Sequence, residues 1–300
     1  MRTALVYHTG ALGDLIVAVP AIEHWVRDRG AGRPVLLGRG RPGELLQAAG
    51  IVGDRWDAGA AWFASAYRGA PPALPAPIDA ALAFTAPGGP IEQALAAAVS
   101  GPVSVVPPLP ARREPIVGHH LRAVGAAPAD DRAPALQLPA ERSRRRVGIA
   151  PGSGSARKNW PLDRFAAVAD ALRPDAEVMW LLGPAEEKLR PPAADGDLVV
   201  RGRPITRTAQ AISSCALLLG NDSGLSHVAA ALSVPVVALF AVSDAVVWAP
   251  APSGSPVLVV TPSKIAPGDR CAALPAPPAG ASMDDIGVDP VISACRRLLR

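Results

Sequence analysis

The sequence predicts an α/β protein made of two doubly wound domains in tandem, and three observations support this. Short continuous apolar runs alternate with segments whose apolar residues recur at helical spacing, as in covered parallel sheets. The 300 residues, 49% of them hydrophobic, suffice for two ordinary cores. The alternation breaks once, between residues 126 and 146, into Pro, Ala and charged residues. We therefore expect domains over residues 1–140 and 146–288 and a terminal helix over 289–300.

The individual strands and helices are expected from the same two patterns. In the first half, strands are expected at residues 3–7, 34–37, 80–84 and 103–106, and helices at 15–29, 43–49, 91–99 and 117–124. In the second half, strands are expected at residues 147–150, 178–182, 198–200, 217–220, 236–240 and 257–260, and helices at 162–172, 208–214, 225–232 and 290–299. Such sheets bind ligands beyond the carboxyl ends of their strands, so the residues that follow strands are the candidates for chemistry.

The charge pattern limits the partners of the protein. The formal net charge is +4, and the arginines are dispersed apart from clusters at residues 142–146 and 296–300, which argues against a nucleic-acid partner. The clusters fit either a solvated surface or contact with an anionic substrate or a membrane surface.

Cysteine content and the amino terminus indicate the compartment. The three cysteines are widely spaced and match neither a disulfide framework nor a metal site. Residues 1–11 lack the apolar run and cleavage site of a signal peptide, and residues 15–19 are too few to span a membrane. We expect a cytoplasmic protein, soluble or peripheral at the inner face of the cytoplasmic membrane.

The first motif, Gly-Ala-Leu-Gly-Asp at residues 10–14, lies between the first strand and the first helix. Glycine allows a tight turn close to a ligand, and Asp14 stands where the helix begins. Asp14 fits two roles equally, a helix cap or a general base on a hydroxyl group. The segment is not the G-x-G-x-x-G dinucleotide fingerprint, which argues against a dehydrogenase.

The second motif spans residues 151–161, Pro-Gly-Ser-Gly-Ser-Ala-Arg-Lys-Asn-Trp-Pro, after the first strand of the second domain. Its glycines expose backbone amides, and Lys158 supplies a point charge, which together suit a diphosphate. Lysine occurs at only three positions in the chain, so we favour this role over a flexible solvated loop. The segment is not a P-loop, and its S-x-x-K string lacks the partner motifs of serine β-lactamases.

The third motif, Gly-Asn-Asp-Ser-Gly-Leu-Ser-His at residues 220–227, follows an apolar strand and opens a helix. Free N–H groups at that helix start would attract an anion. Asp222 could alternatively cap the helix, and His227 could be an ordinary buried helix residue. The pattern G-x-x-S-G differs from the nucleophile elbow of hydrolases, which argues against a Ser-His triad.

No metal site is expected. The string Asp195-Gly196-Asp197 spells D-x-D, but Asp-Gly pairs form turns and we interpret it as one. The pair His119-His120 lacks spaced carboxylate partners.

Together the three motifs resemble the signature segments of glycosyltransferase family 9, the ADP-heptose:lipopolysaccharide heptosyltransferases. Residues 10–14 with Pro20, residues 151–161 and residues 221–227 occur in the family's order, and residues 283–289 are similar to its closing segment. The combination is more specific than any one motif.

The resemblance implies a GT-B fold, two Rossmann-like domains facing each other across a cleft, with the acceptor held by the first and the nucleotide sugar by the second. It implies inverting, metal-independent transfer of a sugar, heptose from ADP-heptose, onto a lipopolysaccharide-core or other cell-surface glycan or glycolipid. It implies no cofactor beyond the nucleotide diphosphate sugar that serves as donor. The terminal helix would return to the N-terminal domain.

Carried onto this sequence, the resemblance makes Asp14 the general base that deprotonates the acceptor hydroxyl. Thr9, Gly10 and Gly13 would belong to the acceptor or phosphate loop, and Lys158 would bind the donor phosphate. Asp222 would bind the hydroxyls of the donor sugar. The other implied donor-binding residues are Ser153, Ser155, Ser223, Gly224 and His227.

Two departures from the family keep other functions open. His8 stands where many members carry a basic residue, and residues 58–110 are short of charge where the family meets its anionic acceptor. The alternatives are a non-catalytic nucleotide-sugar binding protein and a sugar-nucleotide epimerase of the same fold.

Overall fold

A computed structural model describes residues 3–127, 132–138, 143, 145–183 and 186–300. The chain divides into two compact units, Met1–Arg132 and Ala133–Arg300. The predicted boundary at residues 140–146 lies later in the chain, and much of it is outside the described residues. Residues 133–138 go with the second unit, where the N–H of Leu136 donates to the carbonyl of Ala231 at 2.8 Å.

The first unit contains a five-stranded parallel sheet in the order β3-β2-β1-β4-β5. Its strands are β1 (Ala4–His8), β2 (Val35–Gly38), β3 (Asp54–Asp57), β4 (Ala80–Phe84) and β5 (Val103–Val106). Its helices are α1 (Leu12–Asp28), α2 (Pro42–Ala48), α3 (Pro90–Ala98) and α4 (Ile116–Ala123), with a 3-10 helix at Ala61–Arg68.

The second unit contains a seven-stranded sheet in the order β12-β11-β10-β9-β6-β7-β8, parallel except for β12. Its strands are β6 (Arg146–Ala150), β7 (Glu177–Leu182), β8 (Leu198–Arg201), β9 (Leu217–Asn221), β10 (Val236–Leu239), β11 (Val257–Val260) and β12 (Ile265–Pro267). Its helices are α5 (Leu162–Leu172), α6 (Ile205–Ser213), α7 (Gly224–Ala231), α8 (Ala245–Trp248) and α9 (Val288–Leu298). In the described part of this unit, 3-10 helices lie at Ala156–Lys158, Gly268–Ala273 and Met283–Asp285.

Strand order fixes where each sheet can bind a ligand. In the first unit the chain builds outward from β1 to β2 and β3, and then from β4 to β5 on the other side. In the second unit it builds from β6 to β7 and β8, and then from β9 to β10 and β11. The order reverses between β1 and β4 and between β6 and β9. In doubly wound sheets the crevice at this reversal is the usual ligand site.

The strand residues form the cores, as their continuous apolar runs predict. In the second unit Trp160 and Phe165 pack at 5.0 Å between ring centroids, within a buried cluster that also contains Trp180. In the first unit Tyr7 packs at 5.7 Å from Phe63 of the 3-10 helix. Because both faces of each sheet are covered, the alternation of half-exposed strands is absent from β1, β4, β9 and β10.

Helix α1 begins at Leu12, three residues before the predicted start, so Gly13 and Asp14 belong to its first turn. Ala11 is extended at the N-cap position, and Asp14 Oδ2 accepts its N–H at 3.0 Å. The predicted helix start at residue 15 was therefore three residues too late. A carboxylate at this position satisfies an orphan backbone donor and favours the earlier start.

The terminal helix α9 packs within the second unit. Its buried residues Val291, Ala294 and Cys295 belong to that unit's core, and the guanidinium of Arg296 donates to the carbonyl of Ala171 in α5 at 3.1 Å. The apolar face of this helix packs against α5 and the second sheet, and the expected return of residues 289–300 to the N-terminal domain stays a prediction.

The basic cluster at residues 142–146 is described only in part. Arg145 Nε donates to the carbonyl of Asp175 at 3.2 Å, and Arg146 forms an ion pair with Glu177 at 3.0 Å. Both contacts attach the start of β6 to β7. Among the described residues, every helix is too short or too polar to cross a bilayer.

Candidate active site

The loops that follow β6 and β9, on either side of the reversal point, are tied to each other by Asn221. Its side chain is fully buried, and its Oδ1 accepts the N–H of Trp160 at 3.1 Å. Its Nδ2 donates to the carbonyl of Pro151 at 2.8 Å. One amide therefore satisfies a donor and an acceptor at the two ends of the loop at residues 151–161. The loop is built against β9 rather than free in solvent.

An ion pair joins the same two loops. Lys158 Nζ lies 2.7 Å from Asp222 Oδ2, and the hydroxyl of Ser243 donates to that same oxygen at 2.6 Å. The side chain of Asp222 is 8% exposed and that of Lys158 is 36% exposed. A carboxylate so covered needs charged or hydrogen-bonding partners, and it has both kinds. Two residues predicted separately as donor contacts thus touch directly.

Helix α7 begins directly after Asp222, with Ser223 at its N-cap. The alternative that Asp222 caps this helix was therefore wrong, since its carboxylate faces Lys158 and Ser243. Gly220 is required here, because a side chain would place a Cβ 2.9 Å from the hydroxyl of Ser226. Gly224 opens the helix and His227 is buried one turn further on.

The predicted serines Ser153 and Ser155 stabilise the shape of the loop at residues 151–161. The hydroxyl of Ser153 donates to Asn159 Oδ1 at 2.6 Å and accepts the N–H of Ser155 at 3.2 Å. The N–H of Lys158 donates to the carbonyl of Ser155 at 2.9 Å, closing the 3-10 turn that carries the lysine. Ser155 is exposed and Ser153 is half-buried. The loop is thus preformed, with its tip open to solvent.

In the first unit, the segment after β1 places Asp14 beside His8. Asp14 is half-buried, and both side chains approach Gly10 so closely that a Cβ there would lie 2.9 Å from Asp14 Cβ and from His8 Cε1. Only glycine fits this position. Thr9 is half-buried, and Gly13 lies in the first turn of α1 next to Asp14. The capping bond to Ala11 occupies one lone pair of Asp14 and leaves others for a substrate hydroxyl.

His8 is neutral at physiological pH. Burial lowers its pKa to about 4, against the opposing effect of the Asp14 carboxylate. Its Nδ1 is buried without a hydrogen-bond partner among the described residues, and its ring packs edge-on against Phe84 at 5.1 Å. The position that is basic in many members of the family resembled by this sequence therefore carries no charge here.

A cavity of about 270 Å³ opens beside this segment, between the loops that follow β1, β2 and β3. His8, Gly10 and Trp56 line it together with Arg39 and Arg55. Arg39 lies over the ring of Tyr67 at 5.1 Å. Within the described part of the chain, neither guanidinium pairs with a carboxylate. The two guanidinium groups outnumber the one carboxylate of the lining, Asp57, so the cavity suits a polar ligand that carries negative charge.

The D-x-D string is a turn, as predicted. Gly196 has φ of +92°, and Asp197 turns inward to accept hydrogen bonds from Arg173 at 2.8 Å and Trp180 at 3.0 Å. Although burial raises the pKa of Asp197, these donors lower it overall. Among the described residues, no three acidic, histidine or cysteine side chains gather as a metal site. Metal independence stays a prediction.

Sequence reasoning missed three residues that organise the loops after β6 and β9. Ser243 follows the buried strand β10, and Asn221 ends β9, so both stand where parallel strands place polar groups. In parallel sheets, functional residues commonly follow the carboxyl ends of strands. The same criterion, applied to every predicted strand, identifies Ser243 and Asn221. Glu186 was also missed, and its carboxylate packs against Gly152 while accepting the N–H of Gly183 at 2.9 Å.

Solved structures share this fold over nearly the whole chain. A glycosyl transferase family 9 structure from Veillonella parvula covers 99% of this chain and 97% of its own, with 17% identity and a TM-score of 0.77. The ADP-heptose lipopolysaccharide heptosyltransferase II of Escherichia coli covers 100% and 98%, with 17% identity and a TM-score of 0.72. An E. coli heptosyltransferase solved with ADP covers 99% and 100%, with 13% identity and a TM-score of 0.70. The predicted GT-B fold of two Rossmann-like units is confirmed.

The solved structures show the GT-B fold, and the family comparison gives the class, a glycosyltransferase. Residues 120–264 match the model of "Glycosyltransferase family 9 (heptosyltransferase)", the family that the sequence motifs resemble. A segment of 117 residues is 34% identical to lipopolysaccharide heptosyltransferase 3 of E. coli strain K12. That match covers 35% of this chain and 33% of the relative.

Proposed function

We propose that this protein is an inverting, metal-independent glycosyltransferase that moves heptose from ADP-heptose onto a lipopolysaccharide-core or other cell-surface glycan. The observation that carries the proposal is the Lys158–Asp222 pair, formed by the loops after β6 and β9 inside the segment that matches the family 9 model. The relatives support the choice of substrates, since one is named for ADP-heptose and lipopolysaccharide and another was solved with ADP.

The second unit would hold the donor. Lys158 offers its ammonium to the diphosphate, and the amides of the exposed loop tip add further donors, as in other anion-binding nests. Asp222 offers carboxylate oxygens, which accept hydrogen bonds from sugar hydroxyls. A cation beside the diphosphate stabilises the charge that develops on the leaving group, so these residues supply what a metal ion would otherwise provide.

The first unit would hold the acceptor and its base. The acceptor oxygen attacks the anomeric carbon as the bond from that carbon to the diphosphate oxygen breaks. The acceptor proton passes to Asp14, and the electron pair leaves with the nucleoside diphosphate. Because the new bond forms opposite the one that breaks, the anomeric configuration inverts. The cavity beside His8, with Arg39, Arg55 and Trp56, is where we place the acceptor glycan.

The donor site is tested by thermal unfolding of the purified protein with ADP, UDP, GDP and dTDP, with and without Mg²⁺. A nucleotide at about 100 times its Kd raises the midpoint by about 5 °C, because it binds only the folded state. We expect ADP to stabilise the wild type without Mg²⁺ and Lys158→Ala to lose the effect. Lys264→Ala removes the same charge from an exposed loop position and should respond like the wild type.

Three results would contradict the proposal. If no nucleotide stabilises the wild type, the second unit is not a nucleotide-sugar site. If the donor binds but no glycan acceptor receives a sugar, the protein is a non-catalytic binder. A second sugar nucleotide formed from the donor alone would identify an epimerase.

A further inference from the structure

Ser243 holds the carboxylate that the two donor loops share. It lies in the loop between β10 and α8, and its hydroxyl donates to Asp222 Oδ2 at 2.6 Å. The same oxygen accepts the ammonium of Lys158 at 2.7 Å. Asp222 therefore has one charged partner and one neutral partner on a single oxygen.

The backbone on both sides of Ser243 is fixed. The N–H of Phe240 donates to the carbonyl of Val260 at 2.9 Å, which extends the pairing of β10 with β11. Asp244 caps α8 by accepting the N–H of Val246 at 3.0 Å. Asp222 is fixed from its own side, since its N–H donates to the carbonyl of Leu239 at 3.1 Å. The fixed backbone thus aims the hydroxyl of Ser243 at Asp222.

The two partners of Asp222, Lys158 and Ser243, differ in how strongly the diphosphate of the donor substrate would compete for them. Lys158 sits on a loop with an exposed tip and is 36% exposed, so a diphosphate can draw its ammonium away. Ser243 is neutral, and a phosphate gains little by competing for it. Once Lys158 turns to the phosphates, the covered carboxylate of Asp222 would keep Ser243 as a hydrogen-bond donor.

We propose that Ser243 is a positioning residue, which keeps the Asp222 carboxylate in place for the donor sugar while Lys158 engages the diphosphate. This inference rests on the proposed function, in which Asp222 contacts sugar hydroxyls. It predicts that loss of the Ser243 hydroxyl lowers the affinity for the sugar part of the donor and does not change the affinity for the nucleotide part. A residue that only supported the fold would affect both ligands.

The experiment measures the Kd of ADP and of ADP-heptose by calorimetry for the wild type, Ser243→Ala and Ser243→Thr. Ser243→Ala should weaken ADP-heptose about tenfold, the effect of one hydrogen bond to a charged group, and change ADP less than twofold. Ser243→Thr keeps the hydroxyl and should bind both ligands like the wild type. Ser253→Ala, a half-buried serine in another loop, is the matched control.

The outcomes separate this inference from the proposed function. If the wild type binds neither ligand, the proposed function fails. If the wild type binds both and Ser243→Ala binds ADP-heptose equally well, Ser243 does not position Asp222. Equal weakening of ADP and ADP-heptose, or a Thr variant as weak as the Ala variant, would also overturn the inference. Thermal midpoints of all variants show that each is folded in the assay.

Discussion

The ammonium of Lys158 lies 2.7 Å from Asp222 Oδ2 and joins two loops that are 64 residues apart in the sequence. The lysine is partly open to solvent while the aspartate is covered. A donor diphosphate would therefore compete with Asp222 for the same cation. The pair links the two loops, and the partial exposure of Lys158 leaves its ammonium accessible.

The first prediction concerns the stability of this pair. Lys158→Ala leaves the covered carboxylate of Asp222 without its cation, so we expect the free energy of unfolding to fall by about 1–3 kcal/mol. The double variant Lys158→Ala/Asp222→Asn removes the unpaired charge and should recover part of that loss. Urea denaturation gives the free energy of unfolding of the wild type, the single variant and the double variant. Lys264→Ala should stay at the wild-type value, and a double variant no more stable than Lys158→Ala would contradict the prediction.

The second prediction separates the two roles of Asp14. Asp14→Asn keeps a side-chain oxygen that can accept the N–H of Ala11, so the free energy of unfolding should change by less than about 1 kcal/mol. It removes the proton acceptor, and transfer to the glycan should fall by about 10²- to 10⁴-fold. Donor affinity should hold. Wild-type turnover in this variant would leave Asp14 with only its capping role.

The third prediction concerns the cavity of the first unit. Replacing both Arg39 and Arg55 by Gln removes the two positive charges of the cavity lining and leaves the carboxylate of Asp57, so the KM for an anionic acceptor glycan should rise about tenfold or more. The KM for the donor should not change. Arg68→Gln, at an exposed position of the same unit, is the control. An equal rise in both KM values would place the acceptor elsewhere.

Most strands were predictable because burial on both faces leaves a continuous apolar run. β3 was missed because its sequence, Asp-Arg-Trp-Asp, is polar, as an edge strand with one open side allows. β12 was missed because it contains Pro267, which a sheet interior excludes but an edge tolerates. Patterns of hydrophobicity predict central strands better than edges.

The candidate site was predictable by residue type and position along the chain. Lys158 and Asp222 each follow a strand, and family resemblance assigned each a separate ligand contact. Their contact with each other, and with Ser243, depends on β6, β9 and β10 lying side by side in the sheet. The spacing of residues along the sequence does not give the order of strands in the sheet. The contacts of Asp222 with Lys158 and Ser243 were therefore found only in the structure.

The fourth prediction concerns Asn221, the amide that ties the donor loop to β9. Asn221→Ala leaves the N–H of Trp160 and the carbonyl of Pro151 buried without their partner, at about 1–3 kcal/mol each. We expect a loss of about 2–5 kcal/mol in the free energy of unfolding and weaker binding of ADP. Asn159→Ala, which loses one bond in the half-exposed part of the same loop, should cost about 1 kcal/mol. An equal loss in the free energy of unfolding for Asn221→Ala and Asn159→Ala would contradict this prediction, because it would show that burial of the lost bonds does not increase their contribution.

The fifth prediction concerns pH and the two buried histidines of the first unit. Burial lowers the pKa of His8 and of His120 to about 4, and both rings pack against Phe84. The unfolded chain takes up these protons near pH 6.5 and the folded chain only near pH 4, so stability is present above pH 6.5 and is lost as the pH falls towards 4.

Between pH 7 and pH 5 each histidine should remove about 2 kcal/mol from the free energy of unfolding. His120→Phe removes one of the two titrating groups from a position away from Asp14, and should lose about 2 kcal/mol less than the wild type over that interval. Urea denaturation at both pH values gives the difference, and His24→Phe tests whether any histidine in the unit has the same effect. If His120→Phe and the wild type lose stability in parallel, the ring of His120 is not held neutral by its burial, and another group sets the acid sensitivity.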